Sequence, residues 1–485
     1  MSYKNIREFI TFLETKNDLL RIKVPVSQHL EIAEITDRVI KSGGPALLFE
    51  NVVGFSAPVL TNLFGTHQRT AWALGVEQTD ELTDKVREIL GLVKNPPTSM
   101  WEKLKTLKDI VGMARTQPKL IKTAPCQQII LTGDDANLET LPHLQCWPMD
   151  GGRYITLPLV ISRDPDSNRR NVGTYRMQIY DEKTAGMHWQ THKVGASHYR
   201  TGKEKGLERL EVAVVLGGDP TTIWTGALPI PPDMDELAVA GIIRDTPVEM
   251  VKCRTIDLEV PAHSEFVLEG YVVPGELKTE GPFGDHTGYY TPKEPFPTFT
   301  LTGIMQRKNP IYLTTVVGKP ILEDAHIGKV IERSFLPLIR MLHPEVVDFS
   351  MPPAAWFQGM AIVSIKKRYP GQAKKVMMGL WGMGQLALTK MIIVVDHDVN
   401  VHDINDVIWA VTTKTDAARD ITIIDNAPTD TLDPASPMVN LGSKLGIDAT
   451  QKTKEEGFER EIQEEVKVDD DTKKLVDSKW SNYGL

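Results

Sequence analysis

Cysteine is scarce in this chain: three residues in 485, Cys126, Cys146 and Cys253, an odd number spread far apart. They make neither a disulfide framework nor a Cys-x-x-Cys pair for metal or redox chemistry, and a reducing cytosol suits them. Positive charge is not in surplus either. Lys and Arg number 55 against 64 Asp and Glu, a net charge of −9, so nothing draws the protein to a phosphate backbone and nucleic acid is not an expected partner. No apolar run approaches the ~20 residues a membrane span needs. The opening MSYKNIREFITFLETKNDLL sets Arg7, Glu8 and Glu14 among its apolar residues, without the apolar core of a signal peptide. A soluble, cytoplasmic protein is expected. The 36 glycines and 32 prolines stay near average usage, which excludes collagen and low-complexity chains.

A chain of 485 residues predicts two to four domains. Apolar residues Ile6, Phe9, Ile10, Leu13 and Leu20 follow helical spacing, as do Ile32, Ile35 and Val39 within 30–40. Strands at 46–49 and 58–62, then helices at 80–92 and 101–113, predict an N-terminal α/β domain over 1–115. The stretch 116–125, TQPKLIKTAP, suits a linker. Beyond it, short extended runs at 155–162, 172–180 and 187–191 are separated by the turns DPDSN (164–168) and DEKTAG (181–186). Further runs at 211–216, 248–253, 255–260, 266–273 and 298–306 predict an antiparallel barrel or sandwich over 116–310, interrupted by a helix at 234–244. Strands at 311–317, 361–365, 391–395 and 421–424 alternate with helices at 327–342, 372–378 and 404–413, a C-terminal α/β domain over 311–485. The charged tail after Gly457 predicts an exposed or partner-docked helix. The fold class is thus mixed α/β and β.

The segment TEGPFGDHTGYY (279–290) sets Glu280 and Asp285 around Gly281, Pro282 and Gly284, a turn able to fold both carboxyl groups into one cavity. Paired acids separate their pKa values, one ionised and one keeping a proton to donate. A surface turn with solvated acids has the same spacing. In NVGTYR (171–176), Arg176 offers a fork of donors for a carboxylate, and Asn171 lies about 16 Å away along an extended strand. That separation suits a flavin mononucleotide, phosphate at one end and ring at the other; an arginine paired with any nearby acid is the plainer reading. Asn171, His192 and Glu236 offer the oxygen and nitrogen donors Mg²⁺ or Mn²⁺ accepts, though nothing local joins them, and His188 and His192 can equally be surface residues. Gly382, Gly384 and Ala387 spell G-x-G-x-x-A, but a dinucleotide site needs a strand before it and an acid ~20 residues on, where His402 stands. Asp396, His397 and Asp398 read as a strand end that caps the next loop, a place that also borders ligand crevices.

Read together, GGPALLFENV (43–52), LPHLQCWPMDGG (141–152), NVGTYRMQ (171–178), EGPFGDHTGYY (280–290), TKMIIVVDHDVN (389–400) and LGSKLGIDAT (441–450) resemble, in order and over nearly the whole chain, the UbiD family of reversible decarboxylases, its ubiquinone-pathway branch in particular. The resemblance implies an N-terminal α/β domain, a central split β-barrel that binds flavin, and a C-terminal α/β domain whose last helix packs on a neighbouring subunit in dimers or hexamers. It implies prenylated FMN, supplied by a UbiX-type flavin prenyltransferase, with its phosphate held through Mn²⁺ or Mg²⁺ and often K⁺. The family's catalytic trio falls on Arg176, Glu280 and Asp285; ferulic acid decarboxylases carry Glu at the last position. The metal ligands fall on Asn171, His192 and Glu236. The cofactor contacts fall on Thr174, Tyr175, Arg176, His188, Trp189, Gln190 and Lys193, with Lys390 approaching the flavin. His188 and Gln190 depart from the Arg and Leu of close relatives.

The implied reaction takes 3-polyprenyl-4-hydroxybenzoate to 2-polyprenylphenol and CO₂, in the cytoplasm or at the periphery of the inner membrane. Another phenolic or naphthoic acid, from a menaquinone route or aromatic catabolism, is the competing substrate. A nicotinamide dehydrogenase using GMGQLA and a flavin-binding scaffold without catalysis are the competing classes. In the expected mechanism Arg176 grips the substrate carboxylate and, with Glu280, maintains the active cofactor. Asp285 returns a proton to the carbon, so it should keep that proton near neutral pH.

Overall fold

The structure, a computed structural model, describes residues 2–94, 114–230, 234–461 and 463–484. The helix expected over 101–113 lies outside them. The helix Ile6–Thr15 buries Ile6, Phe9, Ile10 and Leu13, and the Asn5 side chain caps it by accepting from the Arg7 and Glu8 amides. It ends five residues before the apolar spacing does, because Asn17 turns the backbone into the left-handed region and releases the chain into the strand Leu19–Ile22. That strand, Ala46–Phe49, Val59–Thr61 and Tyr312–Leu313 form one sheet in that order. Tyr312 and Leu313 pair in parallel with Val59 and Leu60, so the run expected to open the C-terminal unit completes the N-terminal sheet instead.

The central sheet of nine strands is built on two long antiparallel partners, Phe266–Glu280 and Glu294–Gln306, whose register shifts after Glu269 and again between Val272 and Leu277. The expected linker 116–125 contributes a short strand, Lys119–Leu120, paired with Glu249 and Met250. Two expectations for this region need correction. The turn DEKTAG closes early: the Asp181 carboxylate accepts from the Lys183 and Thr184 amides and the Thr184 hydroxyl, and the chain is already a strand over Thr184–Met187. The run 172–180 is not one strand. Arg170–Gly173 lies at one end of the sheet and Met177–Ile179 beside the other end, so Thr174, Tyr175 and Arg176 cross between the two edges. The Thr174 amide donates to the Gly226 carbonyl at 3.0 Å where the crossing begins.

The helix Glu323–Leu342 leads into a five-stranded sheet ordered Val346–Ser350, Met360–Ile365, Met391–Asp396, Leu441–Ala449, Ile421–Pro428. GMGQLA follows the helix Gln372–Trp381 and precedes the strand Met391–Asp396, the reverse of the strand-to-helix order a dinucleotide site needs. Asp396 closes its strand by accepting from Lys414 Nζ and the Gln451 amide. The tail carries a helix, Asp470–Lys479, with Val466, Leu475, Trp480 and Tyr483 exposed around it. Among the described residues no helix is long and apolar enough to cross a membrane.

Glu265, fully buried, ties the first helix to the central sheet. It accepts from Arg7 Nε at 2.8 Å and Nη2 at 2.6 Å and from the Ile311 amide at 3.0 Å. Its removal leaves Arg7 Nε and that amide without their acceptor, and Arg7 Nη2 with the Asn309 carbonyl alone. Glu265→Ala is therefore expected to lower stability by about 3 kcal/mol, read by denaturant unfolding. A loss under ~1 kcal/mol would mean that the apolar face alone holds the helix.

Candidate active site

The turn 281–290 is held by contacts that reach back to earlier blocks of the sequence. Gly281 has a φ of +97°, and a Cβ there would stand 2.8 Å from the Pro292 carbonyl oxygen, so glycine is required. A Cβ on Gly284 would come within 2.1 Å of the Trp147 ring. The Asp150 carboxylate accepts from the Gly284 amide at 2.8 Å and, through its other oxygen, from the Trp147 amide at 2.8 Å. Gln178 accepts from the Gly281 amide at 2.7 Å and donates to the Gly151 carbonyl at 2.8 Å. The turn therefore folds inward, and the solvated-turn reading does not hold.

Arg176, Glu280 and Asp285 meet in the interior. Arg176 Nε donates to Glu280 Oε1 at 2.9 Å and Nη2 to Glu280 Oε2 at 3.2 Å, while Nη1 donates to Asp285 Oδ2. Nη2 also donates to Thr291 Oγ1 at 3.2 Å, and the guanidinium lies 4.5 Å from the centre of the Phe283 ring. Four of the five guanidinium hydrogens are thus engaged. Arg176 has no free fork for a bidentate carboxylate while Asp285 is on Nη1.

Burial alone would push the Glu280 carboxyl up, but Arg176 and the hydrogen bond from His188 Nδ1 at 3.1 Å hold it at about 2. Asp285 is also pushed up by burial, and more strongly held down by His286, whose Nδ1 lies 2.9 Å from Oδ1, and by Arg176. Asp285 is therefore ionised at neutral pH, contrary to the expectation that it keeps its proton. The reason is its neighbours: two cationic groups rather than a second acid. The nearby acid with a raised pKa is Asp324, which burial pushes up to about 6 against the opposing effect of His286.

Among the other expected contacts, Thr174, Tyr175, His188 and Trp189 are gathered in the crossing and the strand end beside it. Tyr175 Oη takes a hydrogen bond from Asn171 Nδ2 at 3.4 Å. Thr174 Oγ1, His188 Nε2 and Trp189 Nε1 are buried with no protein partner. His188 donates through Nδ1 to an ionised acid, and burial and Arg176 keep it neutral, so its Nε2 is an acceptor with nothing to accept. Gln190 and Lys193 form the next turn, where burial lowers the Lys193 pKa and Asp430 partly opposes it. Lys390 is engaged by Asp433 at 2.9 Å.

Asn171 and Glu236 lie together. Glu236 Oε2 accepts from the Val172 amide at 3.1 Å, and burial pushes its pKa up to about 7. His192 stands in the turn beside Lys193, where burial lowers its pKa. Among the described residues no group of three His, Cys, Asp or Glu side chains could hold a metal ion.

Sequence reasoning passed over His286, Asp150, Gln178 and Asp324. The first three stood within the quoted blocks, His286 adjacent to Asp285 and Gln178 two residues from Arg176. Asp324 carried no local signal.

Three family models match the chain: the 3-octaprenyl-4-hydroxybenzoate carboxy-lyase N-terminal domain over 10–89, its Rift-related domain over 119–320 and its C-terminal domain over 325–449. An uncharacterized protein of Archaeoglobus fulgidus is 50% identical over 484 residues, 99% of this chain and 98% of its own. The vanillic acid decarboxylase of Sedimentibacter hydroxybenzoicus in closed form superposes with a TM-score of 0.86 at 29% identity, covering 100% of both chains. HmfF of Pelotomaculum thermopropionicum in complex with FMN does so with a TM-score of 0.80 at 30% identity, covering 98% of this chain and 99% of its own. An evolved dimeric form of HmfF is in complex with prenylated FMN, with a TM-score of 0.78 at 30% identity over 95% of this chain and 97% of its own.

Replacing Arg176 removes the cation that chiefly keeps Glu280 ionised in the interior and one of the two that act on Asp285, after His286. A carboxyl with a depressed folded pKa contributes stability that is present above its unfolded value, near 4.5 for Glu280, and lost as pH falls toward about 2. In Arg176→Gln burial prevails, the folded pKa rises above the unfolded one, and a penalty exists at neutral pH that acidification relieves. The variant is expected to be about 3 kcal/mol less stable than the wild type at pH 8, with the gap narrowing by pH 5. Unfolding curves at both pH values decide this; a constant gap would contradict it.

Proposed function

The chain belongs to the UbiD family of carboxy-lyases, and we propose that it decarboxylates a hydroxylated aromatic acid with prenylated FMN bound beside Arg176, Glu280 and Asp285. The observation that carries the reading is the convergence of one guanidinium and two carboxylates beside buried polar atoms that lack protein partners. Thr174 Oγ1, His188 Nε2 and Trp189 Nε1 offer a flavin both donors and an acceptor, so the residues present fit the cofactor. Tyr175, Gln190 and Lys193 would complete its surroundings. Lys390 would face it from the C-terminal unit with its charge balanced by Asp433. Asn171 and Glu236 would supply oxygen donors to Mn²⁺ or Mg²⁺, and His192 a nitrogen donor. K⁺ would be a further ion at the phosphate.

Bound there, prenylated FMN would supply an electron sink for the charge that loss of CO₂ leaves in the plane of an aromatic ring. The chain's own residues do the rest. Glu280 fixes the guanidinium of Arg176 through two hydrogen bonds, and Phe283 backs it. The incoming substrate carboxylate gains the Nη1 edge by displacing Asp285, and that exchange frees Asp285 from one of its two cations. With that cation lost, burial favours the neutral form, so the freed carboxylate takes up a proton and is then the group that hands it to the carbon that lost CO₂. Burial of Arg176 and both acids keeps water from competing for that proton.

The family models that span the chain carry the name of the 3-octaprenyl-4-hydroxybenzoate enzyme, which makes 3-polyprenyl-4-hydroxybenzoate the first substrate to test. The vanillic acid decarboxylase favours a second reading, a small phenolic acid without a tail. The modified flavin would come from a UbiX-type flavin prenyltransferase. The exposed apolar residues about the terminal helix would rest on a second copy of the chain.

Protein co-expressed with the prenyltransferase is expected to carry the modified flavin, seen by absorbance and by mass. It should release CO₂ from benzoates or naphthoates, with the tail-bearing and tail-free acids compared side by side. Asp285→Asn is expected to retain the flavin and to lose turnover by about 10²- to 10⁴-fold. Unchanged turnover in that variant would remove Asp285 from the chemistry.

A further inference from the structure

Asp285 has two different cationic partners, one on each oxygen. Oδ2 accepts from Arg176; Oδ1 accepts from His286 Nδ1 at 2.9 Å and from the His286 amide at 2.7 Å. The first partner is the one a substrate carboxylate would take. The second is not available to substrate, because the imidazole is enclosed by the C-terminal unit. Its ring centre lies 5.2 Å from that of Phe357 and 6.0 Å from that of Trp356. Both aromatic residues have left-handed backbone, φ +39° and +43°, a strained conformation for bulky side chains that persists only where the surroundings enforce it. Phe357 is seated over Gly328 and Trp356 over Gly359, where a Cβ would meet the rings at 3.4 and 2.5 Å. His286 Nε2 is buried with no partner, so Asp285 is the acceptor its ring addresses.

The charged groups facing His286 are Asp285 in its own turn, Asp324 in the first turn of the helix Glu323–Leu342, and Asp430 in the loop after the strand Ile421–Pro428. Burial opposes a charge on the ring, but these three acids outweigh it and raise the His286 pKa.

We propose that His286 is a positioning residue: it fixes Asp285 and, once a substrate carboxylate has taken Arg176 Nη1, passes its Nδ1 proton to Asp285 Oδ1. The inference rests on the reading of Asp285 as the acid. The Nδ1–H bond breaks and an O–H bond forms on Asp285, with the electron pair left on Nδ1. Imidazolium and carboxylate become neutral imidazole and neutral acid, so the charge of the pair stays at zero. Asp285 then gives that proton to the carbon that lost CO₂, and a proton from water restores His286 as product leaves. The exchange of partners drives the transfer. With Arg176 present Asp285 stays ionised; without it, burial acts on both groups in the direction of neutrality.

Two measurements test this. In the protein without cofactor, the histidine ring labelled with ¹³C is titrated by NMR, and His286 is assigned by the resonance lost in His286→Asn. Its midpoint is expected above the ordinary value of about 6.5 and at least one unit lower in Asp285→Asn; an equal midpoint in both overturns the pairing. In the flavin-loaded enzyme, exchange of ¹³CO₂ into substrate needs no proton, whereas exchange of deuterium into the product ring does. His286→Asn, and His286→Gln should the first variant misfold, is expected to slow deuterium exchange at least tenfold more than CO₂ exchange. Equal losses mean a structural role only, and no loss in either means no role; both overturn the proposal. If the wild type performs neither exchange, the decarboxylase reading fails, and the titration still decides the His286–Asp285 pair.

Discussion

The buried pair of Arg176 and Glu280 is the interaction on which the rest of the site depends. A guanidinium taken out of water is tolerated only where its donors find acceptors of opposite charge in good geometry. Glu280 meets that need with both oxygens, and His188 and Thr291 occupy the positions left over. The consequence is directional. With Nε committed to Glu280 and Nη2 to Glu280 and Thr291, only Nη1 is left for a second anion. In the protein alone that anion is Asp285. The pair serves stability poorly, since an apolar pair of similar volume often costs less to bury; on the proposed reading its value lies in presenting one edge of one cation to one incoming carboxylate.

The two partners lie 104 residues apart in the chain. What joins them is the path of the central sheet. Phe266–Glu280 is long enough to carry Glu280 past the last of its neighbours on the Leu210–Leu216 strand, whose register ends at Val272. The crossing at 174–176 brings Arg176 over from the opposite edge of the same sheet. Because the chain must leave one edge and enter the other there, the backbone between them cannot satisfy its neighbours through a ladder. Side chains such as Thr174 and Trp189 are left with polar atoms directed at no protein group. Thr174 lies in the same crossing that delivers the arginine, and Trp189 follows the strand Thr184–Met187 that pairs with Met177–Ile179.

Much of the local structure was legible from residue spacing. Ile6, Phe9, Ile10 and Leu13 are the buried face of the first helix, and ALLF at 46–49 is the strand its apolar run announces. The blocks NVGTYRMQ and EGPFGDHTGYY held the trio, and their chemistry was readable residue by residue. What spacing could not reveal was long-range. The crossing looks like an uninterrupted strand because Val172 to Tyr180 are all compatible with extended backbone, and only the order of strands in the sheet separates its halves. Lys390 looked free until Asp433, 43 residues later, took its charge. The charge state of Asp285 was misjudged for a related reason. A neighbouring acid was visible in the sequence at Glu280, but the guanidinium between the two acids cancels their repulsion, and His286 adds a second cation.

An acid that must deliver a proton in one step and lie ionised in another needs surroundings that change between the two. The structure divides that duty between the cations. Arg176 is held from the central sheet by Glu280 and Phe283 and is open to exchange on one edge. His286 is enclosed by Trp356, Phe357, Asp324 and Asp430, all from beyond residue 320, and does not exchange. The acid therefore stands at the junction of two parts of the chain, one supplying the partner that substrate replaces and the other the partner that remains. Loss of contact between them would remove the four apolar or acidic neighbours of the imidazole while leaving the contact of Arg176 with Glu280 intact. On the proposed reading, protonation of the carbon depends on that junction, whereas the grip on a carboxylate depends on the central sheet alone.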